Sequence, residues 1–166
     1  MRSRNALNRS PKKTCNYNSK RALEYSFWLL GRRARTEKEI RDKLLAKECA
    51  QEIIEETIKK LRKLKFIDDF EYAKNYIRQS KIIKPKGKYR LFQELVRKGV
   101  EKETVNQAIE EGLGEEEDLV SLALKSYSNK IKNLSREKQY NRAMGYLLRR
   151  GFSYDEAKKA VKKYLE

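Results

Sequence analysis

Three segments decide how this chain folds: Lys43-Leu44-Leu45-Ala46-Lys47-Glu48-Cys49, Glu94-Leu95-Val96-Arg97-Lys98-Gly99-Val100 and Tyr146-Leu147-Leu148-Arg149-Arg150-Gly151-Phe152. They align without gaps, and Leu44, Leu95 and Leu147 stand 51 and 52 residues apart. Self-similarity at such a period means that one supersecondary unit recurs, with neighbours stacking to bury what one unit cannot bury alone. Upstream of the third copy, Tyr140, Ala143, Met144, Leu147 and Leu148 fall at i, i+3, i+4, i+7 and i+8, the stripe of an amphipathic helix. The matching positions are Lys88, Leu91, Phe92, Leu95 and Val96 in the second copy, and Glu37, Ile40, Arg41, Leu44 and Leu45 in the first.

Downstream, Phe152, Ala157, Ala160, Val161 and Tyr164 form a second stripe, matched by Val100, Val105, Ala108 and Ile109 and by Cys49, Ile54, Thr57, Ile58 and Leu61. Between the two helices, Gly99 and Gly151 sit where a helix ends in a left-handed residue, each followed by an apolar residue that can fold back on the last turn. The first copy has Glu48 there, so its turn is expected to be either strained or differently shaped. A further helix precedes each pair. Its face is Leu23, Ser26, Phe27, Leu30 and Ala34 in the first copy, Phe70, Ala73 and Ile77 in the second, and Leu119, Leu122 and Ala123 in the third. The expected fold is therefore all-α, with three tandem three-helix repeats stacked into an elongated, curved array. The expected divisions are a basic arm without fixed structure over 1–21 and repeats over 22–67, 68–113 and 114–166.

Composition agrees and narrows the function. Among 166 residues only 2 are Pro and 7 are Gly, which suits helices better than a turn-punctuated β-fold. The chain has no histidine, so it has no histidine-based triad, histidine-ligated zinc or histidine pH switch. Cys15 and Cys49 are too few for a disulfide framework, as expected of a protein in a reducing cytoplasm. No apolar run of signal-peptide or membrane-spanning length appears, so no membrane partner is expected. There is also no phosphate-binding glycine loop or clustered carboxylate site. A non-enzymatic protein without metal or cofactor is the expectation.

Lys and Arg number 41 against 24 Asp and Glu, for a net charge of +17, which makes a polyanion or an acidic protein surface an expected partner. The excess is uneven. Residues 1–21 carry seven bases and no acid, 78–98 carry eight bases against Glu94 alone, and 125–150 carry eight against Glu137. Between the last two, 101–118 hold eight acids against Lys102. Its portion from Glu110 to Asp118, with Gly112 and Gly114 inside, reads as a linker. Asp68-Asp69 reads as a helix cap and a first-turn acid rather than a metal pair.

Several of these runs are similar to one known family. Leu30-Gly31-Arg32-Arg33-Ala34-Arg35-Thr36-Glu37-Lys38-Glu39-Ile40-Arg41-Asp42-Lys43-Leu44 resembles the first-repeat signature of the RecX regulatory proteins. Phe66-Ile67-Asp68-Asp69 with Tyr72-Ala73 resembles their second signature, and Glu94-Leu95 with Lys98-Gly99-Val100 their third. Leu148-Arg149-Arg150-Gly151-Phe152 resembles their closing motif. The resemblance spans Ala22 to Leu165. It departs from the pattern at Glu48 and Lys65, where the family has glycine, and at Ser26-Phe27, where it has Ala-Leu. It implies an all-helical, crescent-shaped modulator of the RecA recombinase that lies in the groove of the RecA filament on single-stranded DNA. Such a protein would inhibit ATP hydrolysis and strand exchange and limit filament growth. It would act as a monomer and meet single-stranded DNA directly or within the filament. A stand-alone helical DNA- or RNA-binding protein, acting through its basic patches, is the alternative.

The contact candidates are all basic. Arg32, Arg33 and Arg35 precede Thr36, which with Glu39 can form a capping box; they are either partner contacts or cations suited to a helix C-terminus. Arg149 and Arg150 stand in the same kind of place, where the helix-end reading is the better one. Lys84, Lys86, Lys88 and Arg90 cluster around Pro85 and Gly87 in a loop entering a helix, and form the preferred contact patch. Of the ten tyrosines, Tyr72, Tyr76, Tyr140 and Tyr164 are expected to pack rather than to offer stacking faces.

Overall fold

In the computed structural model, which describes residues 18–114 and 116–166, every regular element among the described residues is an α-helix. The first triplet is α1 (Ser19–Arg32), α2 (Glu37–Leu45) and α3 (Gln51–Lys63). The second is α4 (Asp69–Ile83), α5 (Lys88–Arg97) and α6 (Lys102–Gly112). The third is α7 (Glu116–Ser128), α8 (Arg136–Arg149) and α9 (Tyr154–Leu165). Because α1 begins at Ser19, residues 19–21 belong to a helix and not to the basic arm expected over 1–21, whose remainder lies almost wholly outside the described residues. The acidic stretch is likewise mostly helical: α6 runs to Gly112 and α7 starts at Glu116, which leaves a far shorter link than the one expected over Glu110 to Asp118.

Among the described residues, side-chain caps mark the starts of four helices. Asn18, Thr36 and Asp68 accept from the backbone N–H groups of Arg21, Glu39 and Glu71 at 2.9, 3.2 and 3.0 Å. Ser153 and Glu156 form a reciprocal capping box on α9. At Thr36 the structure departs from the expected box, because the Glu39 carboxylate turns to Arg33 and Lys98 instead.

The three turns between second and third helices share one geometry. Cys49, Val100 and Phe152 return their N–H groups to Leu44, Leu95 and Leu147, and all three are buried. Glu48 adopts φ 58° where Gly99 and Gly151 adopt 91° and 86°. The first turn is thus strained rather than reshaped, at a cost on the order of 1 kcal/mol. Lys65 holds the same conformation at the end of α3, again with φ 58°.

Most helices bury the stripe read from the sequence, but α1 turns Ala22, Ser26 and Leu29 inward, so that of the face expected there Leu23, Phe27 and Leu30 are half-buried and Ala34 lies exposed beyond the helix end. In α7, which packs on both α8 and α9, Leu119, Val120, Ala123 and Leu124 are buried, whereas Leu122, expected on the same face, is exposed. Leu45 and Leu148, the last apolar positions of α2 and α8, also face outward. Tyr72, Tyr76 and Tyr140 are partly buried against the core as expected, whereas Tyr164 is at the exposed edge. The buried residues fall into two cores. The first triplet holds its own, from Ala22 to Ile67, while the second and third triplets share one continuous core from Ala73 to Val161.

Candidate partner-contact surface

Two joints hold the triplets in order, and both are built from the same pieces. In each, the N-terminus of a middle helix receives the C-terminal turn of the next triplet's middle helix. The Thr36 hydroxyl at the start of α2 donates to the Lys98 carbonyl at 2.6 Å, and the Gly87 N–H at the start of α5 donates to the Arg150 carbonyl at 2.9 Å. The residues that follow these carbonyls are Gly99 and Gly151, and both must be glycine for a second reason besides their positive φ. A Cβ at Gly99 would press on the Lys38 side chain, whose Cγ would stand 2.8 Å away. At Gly151 it would meet the Arg90 backbone, with Cα at 2.9 Å. Gly87 faces the Gly151 carbonyl so closely that a Cβ there would lie 2.5 Å from the Phe152 nitrogen.

These joints consume several of the basic residues singled out by sequence. Arg90 donates to the Arg149 carbonyl at 2.8 Å and to Glu94 at 2.9 Å. Arg150 donates to the Pro85 carbonyl at 2.9 Å, and burial lowers its pKa. The ammonium of Lys86 is paired with Glu94 and lies 3.1 Å from the Tyr76 hydroxyl. Burial alone would raise the Glu94 carboxyl, but hydrogen bonds from Lys86, Tyr76 and Arg90 overcome it and hold the group at about 2. Burial, with the bond to Glu94, pushes the Tyr76 phenol up to about 12. Half of the preferred patch is therefore an internal ion cluster rather than a contact surface. Only Lys84 and Lys88 of its four cations are exposed.

The first joint spends cations in the same way. Arg33 lies 3.3 Å from Glu39, and Lys98 reaches the same carboxylate at 3.3 Å. Burial would raise the Glu39 pKa, but these two cations lower it on balance. The Arg35 guanidinium donates to the Leu29 carbonyl at 3.4 Å, the helix-end role foreseen for it. Asp69 accepts from the Glu37 N–H at 2.9 Å across the joint, and burial pushes its carboxyl up. Asp68 caps α4, so both aspartates act as caps.

What stays open lies on the outer faces. Arg32 covers the ring of Trp28 at 4.8 Å. Lys84 follows the exposed Ile82 and Ile83 at the end of α4. Lys88 and Tyr89 line a cleft of about 510 Å³ between α5 and the start of α9, with Phe92, Leu148 and Phe152 as its apolar wall. The exposed Arg149 and Arg97 lie along the adjoining groove. The nine candidate cations are thus divided. Arg32, Lys84, Lys88 and Arg149 are exposed on the outer faces, while Arg33, Arg35, Lys86, Arg90 and Arg150 serve the caps and joints. Among the described residues no helix is long and apolar enough to cross a membrane, and no group of three acidic, histidine or cysteine side chains could hold a metal.

Comparison with known proteins matches every triplet. Residues 22–61, 68–109 and 115–161 match the family models described as the first, second and third three-helix domains of RecX. A protein named regulatory protein RecX from Finegoldia magna is 36% identical over 142 residues, covering 82% of this chain and 68% of that protein. One of the same name from Clostridium acetobutylicum is 32% identical, covering 88% of this chain and 68% of that protein. The crystal structure of RecX from Lactobacillus salivarius superposes with a TM-score of 0.74 over 87% of this chain and 95% of that one. At 24% identity, that likeness speaks for the fold.

Proposed function

The chain belongs to the RecX family, and we propose that it binds the RecA filament on single-stranded DNA and modulates it, mainly by inhibiting ATP hydrolysis, strand exchange and filament growth. The observation that carries this reading is the match of all three triplets, in order, to the family's three domains. The role is regulatory and non-enzymatic, in recombination and DNA repair in the cytoplasm, and the protein acts as a monomer. The exposed Arg32, Lys84, Lys88 and Arg149 suit the reading because a partner made of protein and nucleic acid presents both phosphates and acidic side chains.

The test is to add the purified protein to RecA, single-stranded DNA and ATP. Substoichiometric amounts are expected to slow hydrolysis and strand exchange; unchanged rates would sink the proposal. Reversing Lys84 and Lys88 to Glu is expected to weaken filament binding several-fold while helicity is kept. Lys86 and Arg90 are left out of that variant because reversing them would place two carboxylates against Glu94. The alternative of a stand-alone nucleic-acid binder predicts tighter binding to bare DNA than to RecA-coated DNA, so one comparison of the two ligands separates the readings.

A further inference from the structure

We propose that one face of α1, carrying Tyr25, Trp28 and Arg32 together with Lys47 from the turn after α2, is a stacking platform for the bases of single-stranded nucleic acid. These four side chains form a row. The Lys47 ammonium lies 5.5 Å from the Tyr25 ring, Tyr25 and Trp28 are stacked at 5.9 Å with their planes 16° apart, and the Arg32 guanidinium lies 4.8 Å from the Trp28 ring. Trp28 is 54% exposed, on the side of α1 away from the buried Ala22, Ser26 and Leu29. It is also the chain's single tryptophan.

A fold has little reason to leave an indole in water, and here its neighbours do not bury it. The equivalent positions of the second triplet show what the row does when it is structural. Tyr76 and Lys98 stand 51 residues beyond Tyr25 and Lys47, and Lys98 again lies over the tyrosine, at 5.9 Å. There Tyr76 is sealed by Glu94 and Lys86, and Lys98 is drawn to Glu39 of the preceding triplet. In the first triplet no triplet precedes among the described residues, and position 79, which matches 28, is a glutamine. The cation–aromatic pair is the same, with Tyr25 half-buried against the first core, but here it is extended by the exposed Trp28 and Arg32.

The chemistry of the row selects the ligand. Aromatic faces accept any base by stacking, guanidinium planes stack on bases as well, and cations at both ends draw phosphates. None of the four side chains is a carboxylate. Tyr25 to Arg32 spans about 10 Å of helix at 1.5 Å per residue, and within that span the exposed Trp28 is the part of the row open to a base. The inference deepens the reading above, since it assigns the strand contact to the first triplet.

The experiment follows the emission of Trp28 in the full chain as an oligothymidylate is added. Strong quenching is expected, with much weaker quenching by an abasic strand of the same length. By anisotropy of a labelled strand, Trp28→Ala should bind about tenfold more weakly with an unchanged salt dependence, and Trp28→Phe should retain most of the affinity, circular dichroism confirming that both are folded. Absent strand binding, unaltered emission on binding, equal quenching by the abasic strand, quenching by polyglutamate in place of the oligothymidylate, or an unimpaired Trp28→Ala would each overturn the proposal. RecA hydrolysis assayed in parallel keeps the two readings apart. Inhibition by a wild-type protein whose Trp28 stays silent would remove the platform and leave the modulator, and quenching without any effect on RecA would do the reverse.

Discussion

The joint between the first and second triplets and the joint between the second and third use the same positions of the repeat, yet they are fastened differently. The second joint is backbone against backbone, with Gly87 on Gly151 and Arg90 on the turn of α8, and behind it the two triplets share one hydrophobic core. The first is held largely by polar side chains, the Thr36 hydroxyl, Asp69 on the Glu37 N–H, and Glu39 between Arg33 and Lys98, and the cores on its two sides are separate. A shared core makes unfolding cooperative, whereas polar contacts between separate cores let one unit open before the other. The first triplet is therefore the part of the array that can loosen while the rest stays folded.

Substitutions test this difference, and the most destabilising one lies in the second joint. Gly151→Ala puts a Cβ into the Arg90 backbone at a φ of 86°, and should cost about 3 kcal/mol in urea denaturation, lowering the second and third triplets together. Next is Glu94→Gln. It leaves the Lys86 ammonium half-buried beside an uncharged amide, and about 2 kcal/mol should be lost at pH 7.

Glu94 also fixes a pH dependence. Its folded pKa of about 2 lies below the ordinary 4.5, so its contribution is fully present above pH 4.5 and is lost as pH falls from there towards 2. Acid titration of the wild type should show that decline, and Glu94→Gln should flatten it.

At the first joint, Thr36→Val keeps the shape but removes the cap on Glu39 and the bond to Lys98, for an expected loss of about 1.5 kcal/mol. The signature is where the loss appears. Trp28 emission, which reports on the first triplet, should change at lower urea while far-ultraviolet dichroism of the remaining helices keeps its midpoint; coincident transitions would mean that the polar joint couples as tightly as the shared core. The smallest effect is Lys65→Gly, which relieves a left-handed φ of 58° outside both joints and should stabilise the first triplet by about 0.5 kcal/mol.

The turns explain why glycine is strict at two of three equivalent places. Gly99 and Gly151 lie under the preceding triplet, where a side chain has no room; Glu48 is exposed, so a side chain fits there despite the strained backbone. The same crowding explains what the sequence shows of the contact residues and what it hides. Periodicity reveals the core stripes because burial repeats with the helix. A basic residue looks alike whether it faces solvent or a carbonyl 65 positions away, as Arg150 does at Pro85. One sign was legible: Glu94 is the single acid in a block of eight bases and lies four residues after Arg90, the spacing of a helical ion pair. Trp28 left a comparable trace, three residues after Tyr25, four before Arg32, and off the apolar stripe.

Sequence by itself determined the all-helical class, the three-fold repeat near 51 residues, the left-handed turns and the absence of histidine chemistry. Each of these rests on local rules: helical period, cap preference and side-chain inventory. Tertiary structure alone decided which cations are spent on carbonyls and carboxylates inside the joints and which are exposed on the outer faces, and that the second and third triplets share a core while the first stands apart. The physical reason is that pairing and desolvation depend on distances between residues far apart in the chain, and a repeat pattern, being the same in every copy, carries no information about what lies on the other side of a joint.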